Sequence, residues 1–233
     1  MSESRWPPRL PFFLSPKYKY STGMLVWGIA SYLYWDANHY PFDAPHFLPM
    51  TWIDRHVPFV PNTVWIYMSE YIFFPMVYIT ARNIRNLNKY LYSFFVNQAV
   101  SVAIFWLWPT IYPRFQFPLP DNLDWITHYG FTVLRHSDAP TNCCPSLHVS
   151  AVYLSSFIFR DEQKEKFPLF FIWGTLIALS TLTTKQHYLI DIVTGLGMAL
   201  TWYWVFHRWF QYRPLGPSLD DNSILQTART EAE

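Results

Sequence analysis

Glycine and cysteine are both scarce in this chain of 233 residues, at seven and two. So few glycines beside 19 prolines argue against a flexible, linker-built chain. They fit apolar segments joined by stiff connections, because proline ends helices and sits well in aqueous loops. The two cysteines, Cys143 and Cys144, are adjacent, so an ordinary structural disulfide between them is geometrically disfavoured, and no second pair supplies zinc-ligand spacing. Charge of one sign is lacking as well. A formal net charge of +1 provides neither a basic field for nucleic acid nor an acidic surface for a basic partner. No internal repeat is present.

Apolar and aromatic residues fill the space, at 51% and 21% of the chain, far above an ordinary soluble domain. Six apolar stretches run over 20–35, 63–80, 90–108, 147–159, 167–182 and 188–206. They predict an all-α, six-helix membrane bundle. The fourth stretch, with thirteen residues, rises only ~20 Å as a helix, so its start is expected to be recessed below the membrane surface. The first carries no small-residue cleavage pattern and is expected to be a retained helix rather than a signal peptide. The expected division is a cytoplasmic segment 1–19, a membrane catalytic domain 20–212, and a disordered polar cytoplasmic tail 213–233.

Threading six spans places the N-terminal segment, 81–89, 160–166 and the chain after residue 206 on one side. That side holds 13 of the 17 lysines and arginines, so the positive-inside rule makes it cytoplasmic. Arg55, Arg114, Arg135 and Lys185 fall on the other side and call for a reason of their own. Part of that reason lies in the connection 109–146, which has the length of a loop that carries function.

Two histidine motifs open on that same non-cytoplasmic face. The first is Asn142-Cys143-Cys144-Pro145-Ser146-Leu147-His148, leading directly into an apolar run. Proline suits the first position of a helix, which puts His148 in the first turn, where unpaired N–H groups and the helix dipole attract an anion such as phosphate. The second is Ser180-Thr181-Leu182-Thr183-Thr184-Lys185-Gln186-His187-Tyr188-Leu189-Ile190-Asp191. His187 and Asp191 are four apart and share a helical face, so the carboxylate can fix the imidazole tautomer and raise its basicity. His39, His46, His128 and His136 carry no such pattern and are expected to be structural. Glu70 lies inside the second apolar stretch, where an ionised group is costly, and is expected to be buried and hydrogen-bonded, with Asn97 or Gln98 as partner. HExxH-type spacing is absent, so neither a metal nor a cofactor is expected.

The architecture and both motifs resemble the type 2 phosphatidic acid phosphatase superfamily, six-helix membrane enzymes with motifs on the loops after spans three and five. Pro145-Ser146-Leu147-His148 is similar to that family's second motif. Ser180, Thr181, His187 and Asp191 are similar to its third. The resemblance implies that His187 is the nucleophile that becomes phosphohistidine, Asp191 its orienter, and His148 the general acid for the leaving alcohol. Thr181 stands where the family has a phosphate-clamping arginine, with Lys185 the expected substitute. The first motif is reduced to Pro113-Arg114, with Leu107 in place of its lysine. Arg114, Arg135, Lys185 and Ser146 are the expected phosphate contacts, with Tyr188 in support, because phosphoryl transfer spreads charge over three oxygens.

The implied activity is hydrolysis of a lipid phosphate or pyrophosphate in a bilayer. The degenerate motifs are also similar to the branch containing inositol phosphorylceramide synthases, and so imply headgroup phosphotransfer of that or a sphingomyelin synthase-like kind as the alternative. A non-catalytic lipid-phosphate binder or transporter is the third reading.

Overall fold

The computed structural model describes residues 9–214, and the chain within them is mostly helical. Helix α1 (Lys19–His39) follows a short strand β1 (Arg9–Phe12). Next come β2 (His46–Phe47), α2 (Trp52–His56), α3 (Val64–Met68), α4 (Glu70–Thr80), α5 (Ile84–Leu107), β3 (Thr110–Ile111) and α6 (Trp125–Ser137). The chain then builds α7 (Leu147–Asp161), α8 (Phe167–Thr183) and α9 (Leu189–Tyr203), the last continuing through a π-helical turn (Trp204–Trp209) into β4 (Gln211–Pro214).

Each of the six apolar stretches is helical, with two changes. The second breaks at Ser69, whose hydroxyl donates to the Ile66 carbonyl at 2.6 Å and accepts from Trp173 Nε1 at 2.8 Å. That break makes Glu70 the first residue of a new helix instead of a mid-span residue. The connection expected as an open loop contains a full helix, α6, capped where the Asp124 carboxylate accepts the Thr127 N–H at 2.9 Å. Residues 211–214 pair in parallel with 9–12, so Arg213 and Pro214 belong to a two-stranded ribbon. The rest of the tail, and residues 1–8, lie outside the described residues.

Two of the helical runs, Ile84–Leu107 and Leu189–Trp209, are long and apolar enough to cross a membrane, and Phe167–Thr183 is a shorter apolar helix. At the centre is α7, buried along almost its whole length against α5, α8, α9 and α4. Its serines are satisfied by neighbours: Asn97 Nδ2 donates to Ser150 Oγ at 2.9 Å, Tyr90 and Ser155 bond at 2.9 Å, and Ser156 Oγ donates to the Phe170 carbonyl at 3.0 Å. Small hydroxyl side chains let the surrounding helices come close without leaving polar atoms unpaired.

The tightest approach lies at the N-terminal ends of α7 and α9. The Ser146 N–H donates to the Asp191 carbonyl at 3.1 Å. One turn further along α9, a Cβ on Gly195 would stand 2.6 Å from the Ser146 carbonyl oxygen and 3.1 Å from Val149 Cβ. Backbone cannot yield there as a flexible side chain could, so Gly195 is what allows the two helix ends to meet. Gly195→Ala is therefore expected to push α9 from α7, costing about 1–3 kcal/mol, seen as a lower melting temperature in detergent. An unchanged melting temperature would show that the crossing has slack.

Candidate active site

The α7–α9 contact brings the two motifs together. Pro145 precedes the helix cap instead of occupying the first helical position, because Ser146 is the N-cap and its hydroxyl accepts the Val149 N–H at 3.3 Å. His148 remains in the first turn, as expected. Its ring lies 5.6 Å from that of His187, centroid to centroid, with the planes at 68°.

Each imidazole has its own carboxylate. His187 Nδ1 donates to Asp191 Oδ2 at 3.1 Å, and the same oxygen accepts the Tyr188 N–H at 2.8 Å, capping α9. An ionised carboxylate accepts only, so this contact assigns the proton to Nδ1 and leaves the Nε2 lone pair for chemistry. His148 Nδ1 lies 2.9 Å from Glu70 Oε1 and 3.0 Å from Oε2. Its Nε2 is buried with no partner among the described residues. Glu70 was expected to be hydrogen-bonded, but with Asn97 or Gln98. Asn97 is committed to Ser150 and Gln98 to the Ala30 carbonyl at 2.9 Å. The missed partner lies 78 residues away, beyond the reach of helical periodicity.

Arg114 is buried and forms a two-point contact with Asp138: one guanidinium nitrogen reaches Oδ2 at 2.9 Å, the other the backbone carbonyl at 2.7 Å. Tyr34 donates its hydroxyl to the other Asp138 oxygen. Burial alone would raise the Asp138 carboxyl, but Arg114, His148, the Tyr34 hydroxyl and His187 outweigh it and hold the group below the usual aspartate value. Tyr34 also packs edge-on against the His148 ring, 5.9 Å between centroids, so it links Asp138, which the sequence did not single out, to the histidine site. Arg135 donates to the Phe117 carbonyl at 3.3 Å and lies against the Phe131 ring. Burial and the nearby Arg114 charge both lower its pKa.

The cation at Lys185 is engaged elsewhere. Helix α8 ends in a Schellman motif, in which the Lys185 N–H reaches the Leu182 carbonyl at 3.1 Å and the Gln186 N–H the Thr181 carbonyl at 2.9 Å. That motif requires a left-handed residue, usually glycine, and here Lys185 holds it at φ 56°. Its ammonium donates to the Asp54 and Val57 carbonyls at 2.9 and 2.6 Å and lies over the Phe117 ring. Asp54 also accepts the Leu189 N–H at 2.7 Å. The short helix α2 thus grips the third motif from both sides of His187. Burial holds the Lys185 ammonium below the usual lysine value, with Asp54 partly opposing. Thr181, in the position of the absent arginine, turns its hydroxyl back onto the Ala178 carbonyl at 2.7 Å. The Tyr188 hydroxyl, expected to support phosphate, donates to the Ile111 carbonyl at 2.9 Å.

A family model described as the PAP2 superfamily matches residues 41–205, a stretch containing both histidines, their carboxylates, Arg114, Arg135, Asp138 and Lys185. The chain is also 35% identical over 57 residues to an uncharacterized protein of Methanocaldococcus jannaschii, a match covering 24% of this chain and 23% of the relative. The chain thus spans about a quarter of the length of that relative.

Two outcomes follow from these contacts. Glu70→Gln keeps the shape but removes the charge that supports His148, and is expected to lower turnover by about 10²-fold. A rate equal to wild type would detach Glu70 from the chemistry. For Lys185, the left-handed backbone costs a non-glycine residue about 1–2 kcal/mol, so Lys185→Gly should melt higher than Lys185→Ala, which loses the strap and keeps the strain. Equal melting of the two variants would contradict the strain at this position.

Proposed function

Because the chain belongs to the PAP2 superfamily, whose members are generally phosphatases, we propose that it is an integral membrane enzyme that hydrolyses a lipid phosphate or pyrophosphate through a phosphohistidine on His187. The observation that carries this reading is the pair of facing imidazoles, each held by its own buried carboxylate at about hydrogen-bond distance. In the proposed reaction, His187 Nε2 attacks phosphorus, forming the N–P bond as the P–O bond to the lipid alcohol breaks. His148, steadied by Glu70, gives its proton to the departing oxygen. Water then attacks the phosphohistidine, giving up a proton to His148 and releasing phosphate. Asp191 holds His187 in the attacking tautomer throughout. No metal enters the scheme.

For the phosphate clamp we assign Arg114 and Arg135. Lys185 is assigned the positioning of the third motif, since two of its three N–H groups are engaged by carbonyls. Ser146 contributes through the helix end that it caps.

Six membrane crossings, with the site on the non-cytoplasmic face, fit the six helical stretches and the bias of basic residues. They also fit the large apolar side chains that the helices turn outward: Met24, Leu25 and Trp27 on α1, Ile72 on α4, Leu169 on α8 and Val193 on α9 are all exposed.

The charge around the site favours a second reading. Asp138 neutralises Arg114, and no arginine stands at position 181, so the field on the substrate is weakly positive. A phosphodiester carries one negative charge where a monoester carries close to two. Transfer of a phosphorylated headgroup from a phospholipid to a lipid alcohol therefore suits this site electrostatically. The same two histidines would serve, with the alcohol in place of water.

Purified protein in detergent and chelator, given lipid phosphates or phospholipids with and without ceramide or diacylglycerol, separates the readings. Free phosphate supports the phosphatase, a new phospholipid the transferase, and tight binding without turnover a non-catalytic binder. His187→Ala is expected to abolish turnover in a folded protein. His148→Ala should regain part of its rate on a substrate with a good leaving group. Turnover in His187→Ala at the wild-type rate would remove the central assignment, and activity lost in chelator would remove the metal-free mechanism.

A further inference from the structure

One donor at the site, the Cys143 thiol, has no part in the reaction proposed above, and it lies against two groups that do. Cys143 Sγ, a ring nitrogen of His187 and a carboxylate oxygen of Asp191 all lie within 4.8 Å of one another, and all three residues are buried. The thiol lies 3.2 Å from the Pro140 carbonyl and 3.9 Å from the carbonyl of Gln186, the residue before His187. It therefore faces the third motif across the end of the loop. Asp191 engages His187 and Tyr188 through Oδ2 alone, and its Oδ1 is buried without a hydrogen-bond partner among the described residues. A free carboxylate oxygen of this kind is a ready metal ligand.

The donor set selects the kind of ion. Thiolate and imidazole disfavour Mg2+ and Ca2+, which prefer oxygen, and favour the borderline-soft cations Zn2+ and Cd2+. Donors around a tetrahedral zinc stand roughly 3.5 Å apart, so modest side-chain rotation closes the present arrangement. A thiolate and a carboxylate together cancel a dication, which leaves no net charge in a buried place.

We infer that Cys143, His187 and Asp191 form an inhibitory site for a thiophilic divalent cation. The inference rests on the reading of His187 as nucleophile. On binding, the Cys143 thiol loses its proton to solvent and forms the metal–sulfur bond, while His187 gives a nitrogen lone pair and Asp191 an oxygen. If the ion takes Nδ1, the proton there shifts to Nε2, so the attacking lone pair is blocked and Asp191 no longer sets the tautomer. If it takes Nε2, the attacking lone pair is consumed. Either geometry stops attack on phosphorus, so the ion acts as an off switch and not as a cofactor.

The test uses the purified full chain, stripped with chelator and titrated with Cd2+, whose bond to thiolate gives an ultraviolet charge-transfer band. One equivalent should produce the band and lower turnover by about tenfold or more, with full recovery on adding chelator. Cys143→Ser should lose both the band and the inhibition while keeping its basal rate, and Cys144→Ser should keep both. Should Cys143→Ser fail to fold, X-ray absorption of the Zn2+-loaded wild type decides: one sulfur neighbour with nitrogen or oxygen supports the site, and no sulfur overturns it. The inference is also overturned by a missing band, a band that survives in Cys143→Ser, or turnover that rises with the metal. A Cys143-dependent band in a chain without any turnover would uphold the metal site and overturn the enzymatic reading instead.

Discussion

The site depends on one backbone contact, the hydrogen bond from the Ser146 N–H to the Asp191 carbonyl, made possible by the missing side chain at Gly195. Two helices that start side by side present their first turns to the same small volume, and first turns carry unpaired N–H groups and positive dipole ends. His148 belongs to one and Asp191 to the other. His187 is then fixed from behind by Asp191 and from below by the Schellman turn that ends α8. Moving α9 by the width of a methyl group would disturb every one of these relations together.

Around that contact, charge is arranged economically. Three carboxylates, Glu70, Asp138 and Asp191, are buried close to two imidazoles and one arginine. Carboxylates buried in this way are costly unless each has a partner, and each has one: His148, Arg114 and His187 respectively. The consequence for function is that cationic strength is partly spent before a substrate arrives. On the proposed reading, that trade lets the charge suit a singly charged phosphodiester as well as a phosphate monoester.

Much of this was legible in the sequence. The six apolar stretches coincide with helices, and the two histidine motifs were recognisable because helix starts and i, i+4 pairs are local patterns. The losses were all of long range or of opposite propensity. Glu70 could be flagged as a buried acid, but its bond to His148 bridges 78 residues. Lys185 looked like a substitute clamp because it is a cation beside His187. Its actual bonds run to α2, more than a hundred residues earlier, and its left-handed backbone breaks the usual preference for glycine. Helix α6 was hidden inside a proline-rich connection, although Asp124 at its cap was a readable signal. Asp138 gave no local sign at all, since its importance comes only from Arg114 and Tyr34 folding onto it.

The central claim is a covalent phosphoryl group on His187, and rapid-quench trapping tests it most directly. Protein mixed with a lipid substrate carrying radiolabelled phosphorus is stopped in alkali within a single turnover, digested and mapped. The account predicts label on the peptide containing His187, stable in alkali and lost in acid, as a phosphohistidine must be. Label on any other side chain, or turnover complete within the quench window with no protein-bound phosphorus at any time, would contradict it.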